Sequence, residues 1–203
     1  MLKRNESGVL CKIDIEKVYD YINWNFLLLV MQKMGFGEKW GGWIRWCISI
    51  AMFSVLVNGT LLGFFHNTMG LKQGDPLSPY LVVIGIDALR SLINRTMSEG
   101  FLFGCRVKER GEDGTQITHL LSIDDTLVFC EASHDQMTYL SWLLIWFEVI
   151  SGLRINLDMS EILLVGKVEN LEILALELGW KVGALPFTYL GLPLAALYKS
   201  VVV

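Results

Sequence analysis

The sequence has 203 residues, 53% of them hydrophobic and 19% charged, with a net charge of −4. One domain or a little more is expected at roughly 150 residues per domain, and this much apolar surface excludes intrinsic disorder. The longest apolar runs, such as Trp46 to Val57, fall short of the roughly 20 residues a membrane-spanning helix needs.

The opening MLKRNESGVL is polar and is not expected to act as a secretory leader. A mean hydropathy of +0.45 predicts either a core that is large for the chain's length or apolar faces that expect partners, and the isoelectric point is near 5.4. The acidic balance argues against a self-sufficient nucleic-acid binder, whose surface is usually basic. Cys11, Cys47, Cys105 and Cys130 form no CxxC, and no histidine stands near them at ligand spacing. No zinc site is expected, and widely spaced cysteines without a leader read as reduced thiols inside a cell.

Val9 to Ile15 reads as a strand. Asn23 or Asn25 caps a helix that runs to Met34 and stops at Gly35. A second helix is expected over Glu38 to Ile50, with Trp40, Trp43 and Trp46 at helical spacing and assigned to the core. Phe53, Val55 and Val57 alternate at strand period, and Asn58-Gly59 is the favoured two-residue hairpin turn, so the chain returns through Thr60 to His66. Ser78 reads as an N-cap with Pro79 at the first helical position, opening a helix to about Met97. Gln116 to Leu121 and Thr126 to Cys130 are strands of a second hairpin around Asp124-Asp125. Ser133 and Gln136 fit a capping box for a helix that Gly152 ends. Leu153 to Leu157 and Glu161 to Val165 are short strands, Val168 to Leu178 is a helix stopped by Gly179, and Leu185 to Leu194 is extended. Hairpins with helices between them predict an α+β fold: an antiparallel split-βαβ (ferredoxin-like) sheet with helices packed on one face.

The chemistry concentrates in carboxylates and glycines. Asp124 and Asp125 sit at a hairpin, and Asp14 ends an apolar strand. If those elements are neighbours, the acids converge on one sheet edge and repel unless cations sit between them. Hard cations such as Mg²⁺ take one or two carboxylates together with substrate phosphates, which is the arrangement of a two-metal site. In GLKQGDPLSPYL, from Gly70 to Leu81, Gly70 and Gly74 permit backbone conformations or close approaches that a Cβ would block. The start of the following helix attracts anions. Other patterns carry little. Gly35-x-Gly37 does not follow a strand, Gly166-Lys167 lacks the rest of a phosphate loop, and Ser122 and Ser141 have no histidine at suggestive spacing.

Taken in order, CKIDIEKVYDYINW (Cys11 to Trp24), GLKQGDPLSPYL, HLLSIDDTLVF (His119 to Phe129), SGLRINLDMSE (Ser151 to Glu161) and YLGLPL (Tyr189 to Leu194) resemble motifs A to E of a LINE-type (non-LTR) retrotransposon reverse transcriptase, of the kind abundant in plant genomes. The resemblance covers nearly the whole chain. It implies a polymerase palm over residues 1–203, with the upstream fingers segments and the thumb absent. It implies RNA-directed DNA synthesis, in which dNTPs are added to a primer 3′-OH on an RNA template by two-metal nucleotidyl transfer with Mg²⁺. By resemblance, Asp14 and Asp124 are the main metal ligands and Asp125 a secondary one. Tyr19 is the steric gate against a ribonucleotide 2′-OH, Gln73 and Gly74 lie against template and incoming base pair, and YLGLPL holds the primer end. The parental function implies work in the nucleus.

Two positions depart from the pattern. Motif C usually reads aromatic-Ala-Asp-Asp, and here Ser122 and Ile123 stand before the acids. Motif D usually carries Lys where Met159 stands, and Met cannot donate a proton to a leaving pyrophosphate. These departures predict a weakly active or inactive chain. The alternatives are a non-catalytic retrotransposon remnant, a small nucleic-acid- or protein-binding module on the same scaffold, and an RNA-templated RNA polymerase palm. Tyr19 and the QGDPLSP string argue against the last.

Overall fold

The computed structural model describes residues 8–50, 52–107, 115–123, 125–165 and 171–194. The chain opens with β1 (Gly8–Glu16), then α1 (Val18–Tyr21), α2 (Trp24–Lys33) and α3 (Glu38–Ser49). The hairpin β2 (Met52–Val57) and β3 (Thr60–His66) precedes the long helix α4 (Ser78–Ser98). Four short strands follow: β4 (Cys105–Val107), β5 (Thr115–Ile117), β6 (His119–Leu121) and β7 (Asp125–Glu131). Then come α5 (His134–Ser151), β8 (Arg154–Ile155), β9 (Glu161–Val165), α6 (Leu171–Leu178) and β10 (Lys181–Val182), and last the hairpin β11 (Phe187–Tyr189) and β12 (Leu192–Leu194). Among the described residues no helix is long and apolar enough to cross a membrane.

Local chemistry explains most boundaries. The Asn23 side chain accepts from the amides of Asn25 and Phe26 at 2.8 and 3.2 Å, which fixes the start of α2. Asn58 (φ 49) and Gly59 (φ 82) both occupy the left-handed region that a two-residue hairpin turn requires.

Other expectations are corrected. The expected strand Gln116 to Leu121 breaks at Thr118: β5 pairs with β4, whereas β6 pairs with β7. Ser78 is the first residue of its helix rather than the cap before it, and its hydroxyl donates to the Lys72 carbonyl at 2.8 Å. Ser133 Oγ accepts from the Gln136 amide at 3.3 Å, as a cap should. Gln136 Oε1, however, does not reach back to Ser133. It accepts from the amides of Phe103 and Glu131, both at 3.2 Å, and so ties a loop and a strand end to α5. The tail is a hairpin, with Leu190 (φ 49) and Gly191 (φ 77) at its turn. The first residues of the helix expected over Val168 to Leu178 lie outside the described residues.

The chain divides into two units by contact: Met1–Glu16 with Arg90–Ile145 and Ile155–Val203, and Lys17–Leu89 with Trp146–Arg154. The first holds a sheet in the order β10-β9-β1-β7-β6. β1 is antiparallel to both β7 and β9 and also pairs with β8, β6 is antiparallel to β7, and the β9–β10 pair is parallel. Without β10 the order β9-β1-β7-β6 is that of a split βαβ, with α4 in the connection from β1 to β6 and α5 in that from β7 to β9.

Period-two alternation sorts the residues of this sheet. Leu10, Leu127 and Leu163 share one face and form a core with Tyr189 of β11, around which Phe129, Val165, Phe187 and Leu194 pack. The terminal hairpin thus covers that face. Residues of the other parity, Val9, Cys11, Ile13, Cys130 and Ile162, are all 0% exposed. This leaves the helices to cover their face, and the buried Met137, Leu140 and Leu144 of α5 and Leu171, Leu174 and Leu178 of α6 supply apolar surface for it. The α6 helix packs against β9 and β10.

In the second unit α2 buries Phe26, Leu27 and Met31, and α3 buries Ile44 and Ile48. The Phe26 and Phe147 rings meet edge to face at 6.3 Å. The assignment of Trp40, Trp43 and Trp46 to the core is wrong, since they are 55, 60 and 63% exposed. Helical spacing groups the three rings on one stripe, but Ile44 and Ile48 take the inward stripe.

Candidate active site

Asp14 lies near the end of β1 and is paired in register with Asp125, the first residue of β7. Directly opposed residues of an antiparallel pair share a face, with Cβ atoms about 5 Å apart. The two carboxylates therefore stand together on the face that the β11–β12 hairpin covers further along. Both are half-buried. The backbone holds Asp14 from the β9 side as well: its amide donates to Ser160 Oγ at 3.1 Å, and its carbonyl accepts from the Asn156 amide at 2.9 Å. Lys12, two residues earlier on the same face, places its ammonium 3.7 Å from Asp125 Oδ1. Glu161 is the register partner of Lys12 on the other side.

The Tyr189 phenol is held above its ordinary value, first by burial and then by the Asp125 carboxylate. Tyr189 Oη donates to the Leu120 carbonyl at 3.4 Å. Asp124 lies outside the described residues. Among the described residues no group of three or more His, Cys, Asp and Glu side chains is placed to hold a metal ion. The pair Asp14 and Asp125 fits a hard divalent cation by donor chemistry, because carboxylate oxygens on one face are what such an ion takes.

The second unit gathers another set of residues. Tyr19 is on α1, and Gln73 and Gly74 are in the loop before α4. The backbone stitches these segments together. The Leu71 amide donates to the Tyr19 carbonyl at 2.5 Å, and the Gly70 amide to the Ile22 carbonyl at 2.9 Å. The Trp24 indole N–H donates to the Gly70 carbonyl at 2.6 Å. Gly70 (φ 72) is required here, because a Cβ would stand 2.4 Å from the Asp20 carbonyl oxygen. Gly74 (φ 85) is in open space, so its role is conformational rather than steric. As a result Tyr19 and Gln73 line one cavity of about 480 Å³, with Asp20, Phe53, Asn67, Leu71 and Lys72. Sequence reasoning named Tyr19 and Gln73 but missed Phe53, Asn67 and Lys72. Lys72 was within the quoted motif, whereas the hairpin residue Phe53 carried no local signal for this placement.

Two expected departures have structural settings. Ile123 is half-buried just before the acids. Met159 is 58% exposed, and the neighbouring Asp158 carbonyl accepts from Lys181 Nζ at 2.9 Å.

Comparison with known proteins gives the family and the fold. The family described as reverse transcriptase (RNA-dependent DNA polymerase) matches residues 1–194. An uncharacterized mitochondrial protein of Arabidopsis thaliana is 41% identical over 71 residues, 35% of this chain and 56% of that protein. A retrovirus-related Pol polyprotein from type-1 retrotransposable element R2 of Popillia japonica is 32% identical over 82 residues, 40% of this chain and 14% of the polyprotein. The chain thus matches about half or less of the length of these curated relatives. Among solved structures, apo telomerase from Candida tropicalis, truncated from its C-terminal domain, superposes with a TM-score of 0.61 at 16% identity, over 81% of this chain and 32% of that one. Telomerase from Candida albicans, in complex with the TWJ fragment of telomeric RNA, gives 0.58 at 12% identity, over 80% and 27%. These structures share the fold, a polymerase palm. With the family's match spanning almost the whole chain, and with Asp14 and Asp125 paired on the palm sheet, the chain belongs to the reverse transcriptase (RNA-dependent DNA polymerase) family.

Proposed function

We propose that this chain is the RNA-directed DNA polymerase domain of a non-LTR retrotransposon protein, working in the nucleus on an RNA template, a DNA primer and dNTPs. The observation that carries the reading is the register pairing of Asp14 with Asp125 on a split-βαβ sheet. Asp14, Asp124 and Asp125 would hold two Mg²⁺ ions. When bound, such ions stabilise charge at a reacting phosphate and lower the pKa of a coordinated hydroxyl.

The chain's own residues do the positioning. The amide-to-Ser160 and carbonyl-to-Asn156 bonds fix the Asp14 backbone, so its carboxylate needs little reorganisation. Lys12 offsets part of the repulsion between the acids when no cation is present. Tyr19 presents an aromatic ring at the sugar and excludes a 2′-OH, the group that distinguishes RNA from DNA. Gln73 and Gly74 lie against the incoming base pair, and the β11–β12 hairpin steadies the primer end. Activity is weak or absent in this reading, since Met159 supplies no proton and Ile123 is bulkier than the Ala usual beside the acids.

Primer extension with the purified chain, an RNA template, a DNA primer, dNTPs and Mg²⁺ tests this. Extension that vanishes in Asp124→Asn is expected. A folded chain that extends no primer even with Met159→Lys and Ile123→Ala restored would refute catalysis and support a non-catalytic remnant.

A further inference from the structure

The cavity of about 480 Å³ beside Tyr19 contains more recognition chemistry than the gate and Gln73. Small-molecule pockets usually fall between about 300 and 1,000 Å³, so it has room for one nucleotide. Its lining offers two aromatic rings, Tyr19 and Phe53, two carboxamides, Asn67 and Gln73, and one ammonium, Lys72. Flat rings suit a base or sugar face, carboxamides suit hydrogen-bonding edges, and an ammonium suits phosphate as a point charge.

Two of these groups are firmly mounted. The Phe53 ring stacks on Phe65 at 6.1 Å with planes 27° apart. The Lys72 carbonyl accepts from Ser78 Oγ at 2.8 Å and from the Asp75 amide at 3.2 Å, so the lysine stem rises from a fixed turn. Lys72 is exposed, and among the described residues it is the one cation lining this cavity and Asp20 the one carboxylate.

We propose that Lys72 is the phosphate-binding cation of this pocket and that the occupant is a nucleoside triphosphate, with Asn67 a second hydrogen-bonding contact beside Gln73. The assignment rests on the polymerase reading, which already puts Tyr19 and Gln73 at the incoming nucleotide. It adds a charge that reads the phosphates and an opposing carboxylate, Asp20, that limits the affinity.

The test is calorimetric titration of the full 203-residue chain with dTTP in Mg²⁺, alongside thymidine, inorganic tripolyphosphate and an RNA–DNA duplex. Lys72→Gln should weaken dTTP and tripolyphosphate binding about tenfold, as expected for loss of one charge-assisted contact. It should leave thymidine unchanged. Lys72→Arg should restore dTTP binding. Asp20→Asn should tighten dTTP binding by about two- to threefold, as expected when an exposed like charge is removed. Asn67→Ala should weaken thymidine and dTTP alike. Equal dTTP affinity for Lys72→Gln and the parent chain would overturn the assignment while leaving the polymerase reading intact. Weaker duplex binding with dTTP unaffected would also overturn it, placing Lys72 on a strand phosphate instead. A folded parent chain that binds no dTTP would remove both the inference and the reading beneath it.

Discussion

Asp14 on β1 and Asp125 on β7 are direct cross-strand partners, and Lys12 on the same face holds Asp125 at 3.7 Å. Like charges set opposite each other destabilise a strand pair by about 0.2–1 kcal/mol. Asp14→Asn should therefore raise the melting temperature in metal-free buffer by about 0.4–4 °C, given about 2–4 °C per kcal/mol at this size. Millimolar Mg²⁺ should stabilise the parent chain and not the variant, and the variant should lose primer extension. A variant that melts lower without metal would mean that Asp14 serves the fold rather than the site.

Gly70 and Gly74 belong to one loop but should respond differently to alanine. At Gly70 a Cβ would meet the Asp20 carbonyl at 2.4 Å, and no flexible side chain can move aside. Gly70→Ala should cost about 3 kcal/mol or more, because strain at a left-handed φ adds to a backbone clash. Gly74→Ala meets nothing within 4 Å and should cost about 1–2 kcal/mol from φ alone. Paired chemical denaturation curves would show whether the two costs separate.

Burial, and then the Arg90 charge, hold the His119 imidazole below its ordinary value of 6.5. Thr118 Oγ1 is hydrogen-bonded to His119 Nδ1 at 2.8 Å. The unfolded chain takes up this proton at a higher pH than the folded one. Its stabilising contribution is present above about 6.5 and declines as pH falls from there through the lower folded value. Urea midpoints at pH 7.5 and pH 5.5 should therefore differ, and His119→Gln should narrow the difference.

Met159 is exposed, so a longer cationic side chain fits there without repacking. Met159→Lys should raise the extension rate by about 10²-fold, the low end of general-acid contributions. Its pH–rate profile should gain a limb that falls at high pH, and the folding midpoint should stay put. An unchanged rate would mean that the proton is supplied elsewhere, Lys181 being one candidate, since its ammonium already reaches the Asp158 carbonyl.

Where one short segment decides the geometry, the sequence was readable. Asn23, Asn58-Gly59 and the strand Glu161–Val165 stand where local rules put them. The outcome differs where a distant partner decides. Nothing within Gln116 to Leu121 says that its first half pairs with β4 and its second with β7. The tryptophan stripe of α3 shows a second kind of failure. Periodicity marks which residues share a side, but the choice of side depends on what lies beneath Ile44 and Ile48. At the candidate site, Asp14, Tyr19 and Gln73 were legible as types within motifs. Their surroundings, Lys12 on Asp125 and Phe53 with Lys72 beside Tyr19, depend on strand register and chain return.

The bond from the Trp24 indole to the Gly70 carbonyl closes a span of 46 residues, and the Gly70 amide bonded to Ile22 seals the same neck. The segment between begins and ends at that neck, and α2 is also held through Phe26 on Phe147. Insertions or deletions at the exposed Asn58-Gly59 tip would change the length of that segment without moving either end of the neck. In evolutionary terms the exposed tip of the β2–β3 hairpin can diverge, whereas Phe26 on Phe147 and Phe53 beside Tyr19 hold the rest of the segment. The neck itself, where Asp20 admits no side chain at position 70, should tolerate almost no change.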